Sequence, residues 1–132
     1  MSFLSKLEID GHTFILDRCT SAIDQNSDYN GRPNSAPIAG KFTIALRYEK
    51  KADLFAEWAV SSTLTKNGKI IFYNNDSMST LQSMEFKDAY CLHYAQDYDG
   101  NSNKPMTIQM VISAKDIKVG VVEYNNNWPT KQ

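Results

Sequence analysis

The sequence predicts a mainly β protein, an antiparallel barrel or sandwich with one helix on its flank and one long extended loop. Three observations carry this reading. Apolar and polar residues alternate with period two over three long segments, as expected of strands with one buried and one wetter face. Asp-Gly and Asn-Gly pairs separate such segments. Only one stretch, Asp53 to about Val60, carries a convincing helical pattern. Several strands with a single helix suit a closed or two-layered antiparallel architecture.

The elements follow in chain order. Leu7 and Ile9 precede Asp10-Gly11, and Phe14 and Leu16 follow it, a strong hairpin signal because Asp-Gly tolerates the positive φ angles of a tight turn. A long loop comes next, Asp28 to Gly40, reading DYNGRPNSAPIAG. Most connections in compact domains run to about 4–6 residues, and much longer ones are usually functional or disordered. This one has few charges, and two prolines and two glycines shape its backbone, so it reads as an arm with a job. Phe42, Ile44, Leu46 and Tyr48 then alternate with Lys41, Thr43, Ala45 and Arg47. In DLFAEWAV, Leu54, Phe55 and Trp58 share one side of a helix, with Asp53 placed as its N-cap. Asn67-Gly68 reads as a turn, and Lys69 to Tyr73 as a short central strand, apolar on both faces. A weak second helix is expected across Met78 to Gln82. Met84, Phe86, Tyr90, Leu92 and Tyr94 form one apolar row, with Asp88 as its charged member. After a longer turn at Asp97 to Asn103, Met106, Ile108, Met110, Ile112 and Ala114 alternate with Thr107, Gln109, Val111, Ser113 and Lys115. The tail from Glu123 is polar except for Trp128, which hints at an anchor, to the barrel or to a partner.

With 132 residues the chain is read as one domain, 1–132, and 42% hydrophobic residues exclude wholesale disorder. A domain of this size buries roughly two-thirds of the surface its unfolded chain exposes, so it needs no staples. The net charge is −1, from 14 basic and 15 acidic residues scattered without a run of one sign. Sequence-independent nucleic-acid binding needs clustered Lys and Arg, so no nucleic-acid partner is expected. No apolar run approaches the length of a spanning helix, and no membrane partner is expected. The opening Met1 to Gly11 has no basic segment followed by an apolar run of signal-peptide length. A product folded in the cytoplasm follows, with Cys19 and Cys91 as reduced structural thiols.

The residues offer little chemistry. His12 and His93 stand outside any metal-ligand spacing, and Cys91 with His93 makes two ligands without a third, so no metal is expected. Counting from Asp97, the twelfth position that a calcium loop gives to Glu holds Ile108. There is no nucleophile elbow and no phosphate-cradling glycine loop. Asp88 is better read as a residue at an edge, or paired with a strand or subunit, than as a catalytic carboxylate. No enzyme and no cofactor are expected. What remains is binding: aromatic residues are 11% of the chain, suited to core and interface alike.

The order of segments resembles a known family. Met-Ser-Phe-Leu-x-Lys-Leu opens the chain, GRPNSAP precedes a strand, and FAEWAV, FKDAYC, PMTIQMVISAKDIKVG and NNNWP follow. Jointly they are similar to the tube protein of type VI secretion systems, Hcp or TssD, in the form carried by Bacteroidetes, over essentially the whole chain. The resemblance implies an Hcp-like, phage tail-tube-like barrel that assembles as homo-hexameric rings. The rings stack into a hollow tube, tipped by a VgrG-like spike and expelled from its baseplate by a contractile sheath, with effector proteins in the lumen. It also implies assembly in the cytoplasm and export by the machine without a signal peptide.

In the family the loop after the second strand reaches across to neighbouring subunits. Carried over, this makes Tyr29, Gly31, Arg32, Pro33 and Pro37 candidate interface residues, with Trp128 in the tail as another. Prolines lower the freedom an exposed arm loses on docking, and Arg32 offers bidentate hydrogen bonds to a neighbour. Lys41, Thr43 and Arg47, with Thr107, Gln109 and Ser113, are candidates for a face toward lumen or solvent. Two other classes share parts of the pattern: a phage-type tail tube, and a monomeric ligand-binding barrel with an apolar cavity.

Overall fold

Asp10 and Gly11 take φ angles of 51° and 76°, and the strands they join pair from Lys6↔Ile15 to Ile9↔His12. Positive φ at both central residues matches the right-handed twist of the flanking strands. This hairpin opens the computed structural model, which describes residues 4–22, 29–31, 40–74, 79–101, 103 and 106–125. The strands are β1 (Ser5–Ile9), β2 (His12–Ser21), β3 (Lys41–Arg47), β4 (Lys66–Tyr73), β5 (Thr80–Tyr98), β6 (Met106–Val119) and β7 (Val122–Asn125). One helix, α1 (Asp53–Ala59), follows a 3-10 turn at Lys50–Ala52.

All pairings are antiparallel, in the order β3-β2-β1-β4-β5-β6-β7, and β3 also pairs with β6. That last pairing closes six strands into a barrel and leaves β7 as an extra strand. Strand β6 is long enough to serve both: Thr107–Ser113 meets β3, and Asp116–Val119 meets β7. The expected barrel is therefore the observed one, and the sandwich alternative is not. Closure covers the edge of β3, which would otherwise invite uncontrolled pairing.

Inward residues fill the barrel. Leu7, Phe14, Phe42, Ile44, Ile70, Phe86, Ile108 and Met110 are all at most 1% exposed. Phe42 and Phe86 meet at 5.2 Å between ring centroids. Helix α1 supplies Phe55 and Trp58, both fully buried, and Phe55 meets Phe14 at 4.7 Å. Each such side chain contributes about 1.5–3 kcal/mol by leaving water. Lys51, just before the helix, donates to the Thr13 carbonyl at 2.6 Å and lies 5.0 Å from the Phe14 ring centre. The helix and the turn before it are thus tied to the opening hairpin, distant in sequence.

Five local expectations are corrected. Asn67-Gly68 is no turn; it lies inside β4, where the register to β5 slips between Lys66 and Gly68. Thr80 to Gln82 belongs to β5, not to a helix. Ala52, without a side-chain cap, is the N-cap of α1, and Asp53 instead accepts from the Tyr48 hydroxyl at 2.7 Å. Glu123 to Asn125, expected as tail, completes β7. The fifth correction concerns the apolar row of β5. Asp88 takes a φ of 52°, and the inward phase jumps there from Met84 and Phe86 to Ala89 and Cys91. Tyr90 becomes half-buried and Leu92 is exposed, while a second register slip between Cys91 and His93 brings Tyr94 back against the core. Extra residues of this kind bend a strand and increase its twist, which a barrel wall requires.

Candidate assembly surface

The two polar rows meet. Lys41 pairs with Ser113 and Arg47 with Thr107, while Thr43 faces Val111 and Ala45 faces Gln109. All six candidates lie on the outward side of β3 and β6, because the residues between them (Phe42, Ile44, Leu46, Ile108, Met110, Ile112) point into the core. Neighbouring strands widen this face. Arg18 and Thr20 of β2 lie beside Ala45 and Thr43, and His93, Ala95 and Asp97 of β5 lie beside Val111, Gln109 and Thr107. Its middle holds the short side chains Thr43, Ala45, Val111 and Ala95, with the exposed Gln109 between Ala45 and Ala95.

The opposite part of the wall carries a different pattern, which the sequence reading missed. Glu8 pairs with Lys69, Lys69 with Glu85, Glu85 with Lys118, and Lys118 with Glu123. Charges therefore alternate in sign across β1, β4, β5, β6 and β7. Lys69 Nζ and Glu85 Oε1 are 4.0 Å apart. Such exposed cross-strand pairs contribute a few tenths of a kcal/mol each, up to about 1, and they set register more than stability. Only the pairing pattern could reveal this row, since its members are scattered along the sequence.

The segment that the sequence reads as an arm joins the end of β2 at Ser21 to the start of β3 at Lys41. Gly40 anchors its return: it takes a φ of 84°, and its carbonyl accepts the Ala114 N–H at 2.7 Å. Tyr29 is 96% exposed, and Gly31 has a φ of 81° with open space where a Cβ would stand. Arg32, Pro33, Pro37 and Trp128 lie outside the described residues.

Burial disfavours the thiolate at both cysteines. Burial pushes Cys19 up to about 11 and raises Cys91 as well, and Cys91 Sγ donates to the His93 carbonyl at 3.3 Å. Both are free cysteines. Among the described residues no three His, Cys, Asp or Glu side chains come together as metal ligands. Asp88 is exposed, and its backbone N–H donates to Asn67 Oδ1 at 2.9 Å. No described helix is long and apolar enough to cross a membrane.

A small barrel filled by its own side chains, with two broad outer faces, is built as a packing unit of the tube-protein class. The model of the family "Hemolysin coregulated protein Hcp (TssD)" matches residues 1–129, and the chain belongs to this family of type VI secretion tube proteins, which are structural proteins and not enzymes. Hcp1 from Flavobacterium johnsoniae is similar to it, with 31% identity, a TM-score of 0.86, and coverage of 94% of this chain and 100% of that one. Hcp1 from Salmonella typhimurium shares the fold at 10% identity and a TM-score of 0.75, covering 90% of this chain and 86% of that one. So does a chain of the sheath-tube complex of an extracellular contractile injection system, PVC, at 16% identity and 0.61, covering 89% and 88%. No curated protein matches the chain.

Proposed function

We propose that this protein is the repeating subunit of the type VI inner tube. Six copies form a ring, and rings stack into a hollow tube. A contractile sheath drives the tube outward behind a VgrG-like spike, with effector proteins carried inside it. The family match over 1–129 is the observation that carries this reading. The filled barrel interior supports it over a ligand-binding barrel, because the space such a ligand needs holds Phe42, Phe86, Met110 and their neighbours.

On this reading the outer face of β2, β3, β6 and β5 lines the lumen. Lys41, Thr43, Arg47, Thr107, Gln109 and Ser113 contact water and cargo. The arm, with Tyr29, Gly31, Arg32, Pro33 and Pro37, reaches the next subunit, and Trp128 anchors the tail. Assembly takes place in the cytoplasm, and export uses the machine instead of a signal peptide.

Native mass spectrometry with negative-stain imaging of the same sample tests the proposal. Six-subunit rings, or tubes built from them, are expected. A monomer that persists at high concentration, and also in the presence of preformed rings of a related Hcp, would overturn it.

A further inference from the structure

Strands β3 and β7 share one edge of β6. Strand β3 takes Thr107–Ser113 and β7 takes Asp116–Val119, and both run antiparallel to β6, so the end of β7 points at the start of β3. Asn125 pairs with Asp116, and two residues further along this edge the Gly40 carbonyl already holds the Ala114 N–H at 2.7 Å. Only the position beside Lys115 separates the two strands, so β6 offers no edge on which β7 could be prolonged.

A groove opens at this junction. Ile117, Val119, Val122 and Tyr124 form its apolar side, and Gly40 and Lys41, with the end of β2, form the other. Its volume is about 270 Å³, just under the roughly 300–1,000 Å³ of clefts that hold drug-sized ligands. Val119 stands opposite Val122 and Ile117 opposite Tyr124, so every second residue of β7 points to the groove. Val122 is still 56% exposed, which leaves apolar surface for an occupant to cover.

We propose that Trp128 of the same chain docks in this groove, with the chain turning off the sheet after Asn125. Trp128 is three residues beyond Asn125, a reach of at most about 10 Å, and it is in phase with Val122 and Tyr124. It is the one large apolar side chain in 126–132. An indole seated there removes about 150–250 Å² from water. Asn126 and Asn127, just before it, are residues that tolerate the turn this path needs. The docking is made within one subunit and does not depend on the tube reading, so it is read whether or not rings form.

The chain has two tryptophans, so Trp58→Phe leaves Trp128 as the sole indole. Its emission should be blue-shifted, and its quenching by acrylamide several-fold slower, in native buffer than in urea. If Trp58→Phe fails to fold, the difference between wild type and Trp128→Phe gives the same reading. Val122→Lys, at an exposed edge position, should return both properties to the urea values while circular dichroism stays unchanged. Benzoylphenylalanine placed at position 128 and irradiated should cross-link to the ends of β2 or β6, in a product of monomer size on a denaturing gel. Native quenching as fast as in urea, an unchanged signal in Val122→Lys, or a cross-linked product of dimer size would each overturn the proposal. The last would make a second copy the partner of Trp128.

Discussion

The indole N–H of Trp58 donates to the carbonyl of Ala89 at 3.1 Å, joining helix α1 to β5 one residue past the left-handed Asp88. It also reaches the Leu64 carbonyl at 3.2 Å, so one donor serves the strand and the loop behind the helix. Trp58 and Ala89, the two ends of the first of these bonds, are both fully buried. Trp58→Phe keeps most of the apolar area and removes only the donor. A loss of about 1–3 kcal/mol is expected, the usual cost of leaving a buried carbonyl unsatisfied. Urea unfolding of both proteins measures it, and a change within error would show that water replaces the indole.

Gly68→Ala tests the close approach inside β4. The added methyl would meet the Phe86 ring edge at 2.5 Å, and that ring is itself packed against Phe42. Overpacking of this kind costs about 1–3 kcal/mol. The midpoint of urea unfolding should fall accordingly. Shortening the partner in Gly68→Ala/Phe86→Leu should recover part of the loss.

Asp88 holds a φ of 52° where the inward phase of β5 shifts. Asp and Asn tolerate this region, whereas a β-branched residue does not. Asp88→Asn should be near neutral, and Asp88→Val should destabilise by about 1–2 kcal/mol. Equal stability of the two variants would show that the bulge relaxes.

Burial raises Cys19 to about 11 and is the main reason Cys91 and Tyr94 are raised too, while Tyr48 is raised chiefly by its hydrogen bond to Asp53. The folded state therefore holds these protons more tightly than the unfolded chain. Stability is full below the ordinary thiol and phenol range and declines as pH rises through it toward about 11. Urea midpoints between neutral and strongly alkaline pH should show this fall, and Cys19→Ala should make it shallower. Alkylation of Cys19 in the native protein should also be much slower than in urea.

Replacing residues 28–39 by a short linker should leave a folded barrel that fails to build tubes. Gly40 must stay, because its carbonyl closes the Ala114 N–H at the root of the arm. Circular dichroism and sedimentation together read the outcome. A folded variant that assembles normally would remove the arm from the interface.

The alternation of Lys41 to Arg47 and of Met106 to Ala114, and the Asp10-Gly11 hairpin, were legible in the sequence because each depends on neighbours along the chain. A period of two, or two positive φ angles in a turn, is local geometry. The family, too, was legible, from the joint order of segments that no single motif defines. Tertiary structure decided the rest. Asn67-Gly68 has the composition of a turn, yet it lies in a strand, because Gly68 is where β4 lets Phe86 and Glu8 approach. The row from Met84 to Tyr94 looks continuous on paper, yet it breaks at Asp88, because wall curvature and pairing on both sides set its phase. The closure of β3 on β6, and with it the meeting of Lys41 with Ser113 and Arg47 with Thr107, joins residues far apart in the chain. The alternating row from Glu8 to Glu123 likewise exists only once five strands are in register, since which residues lie side by side across a sheet is a property of pairing and not of sequence distance.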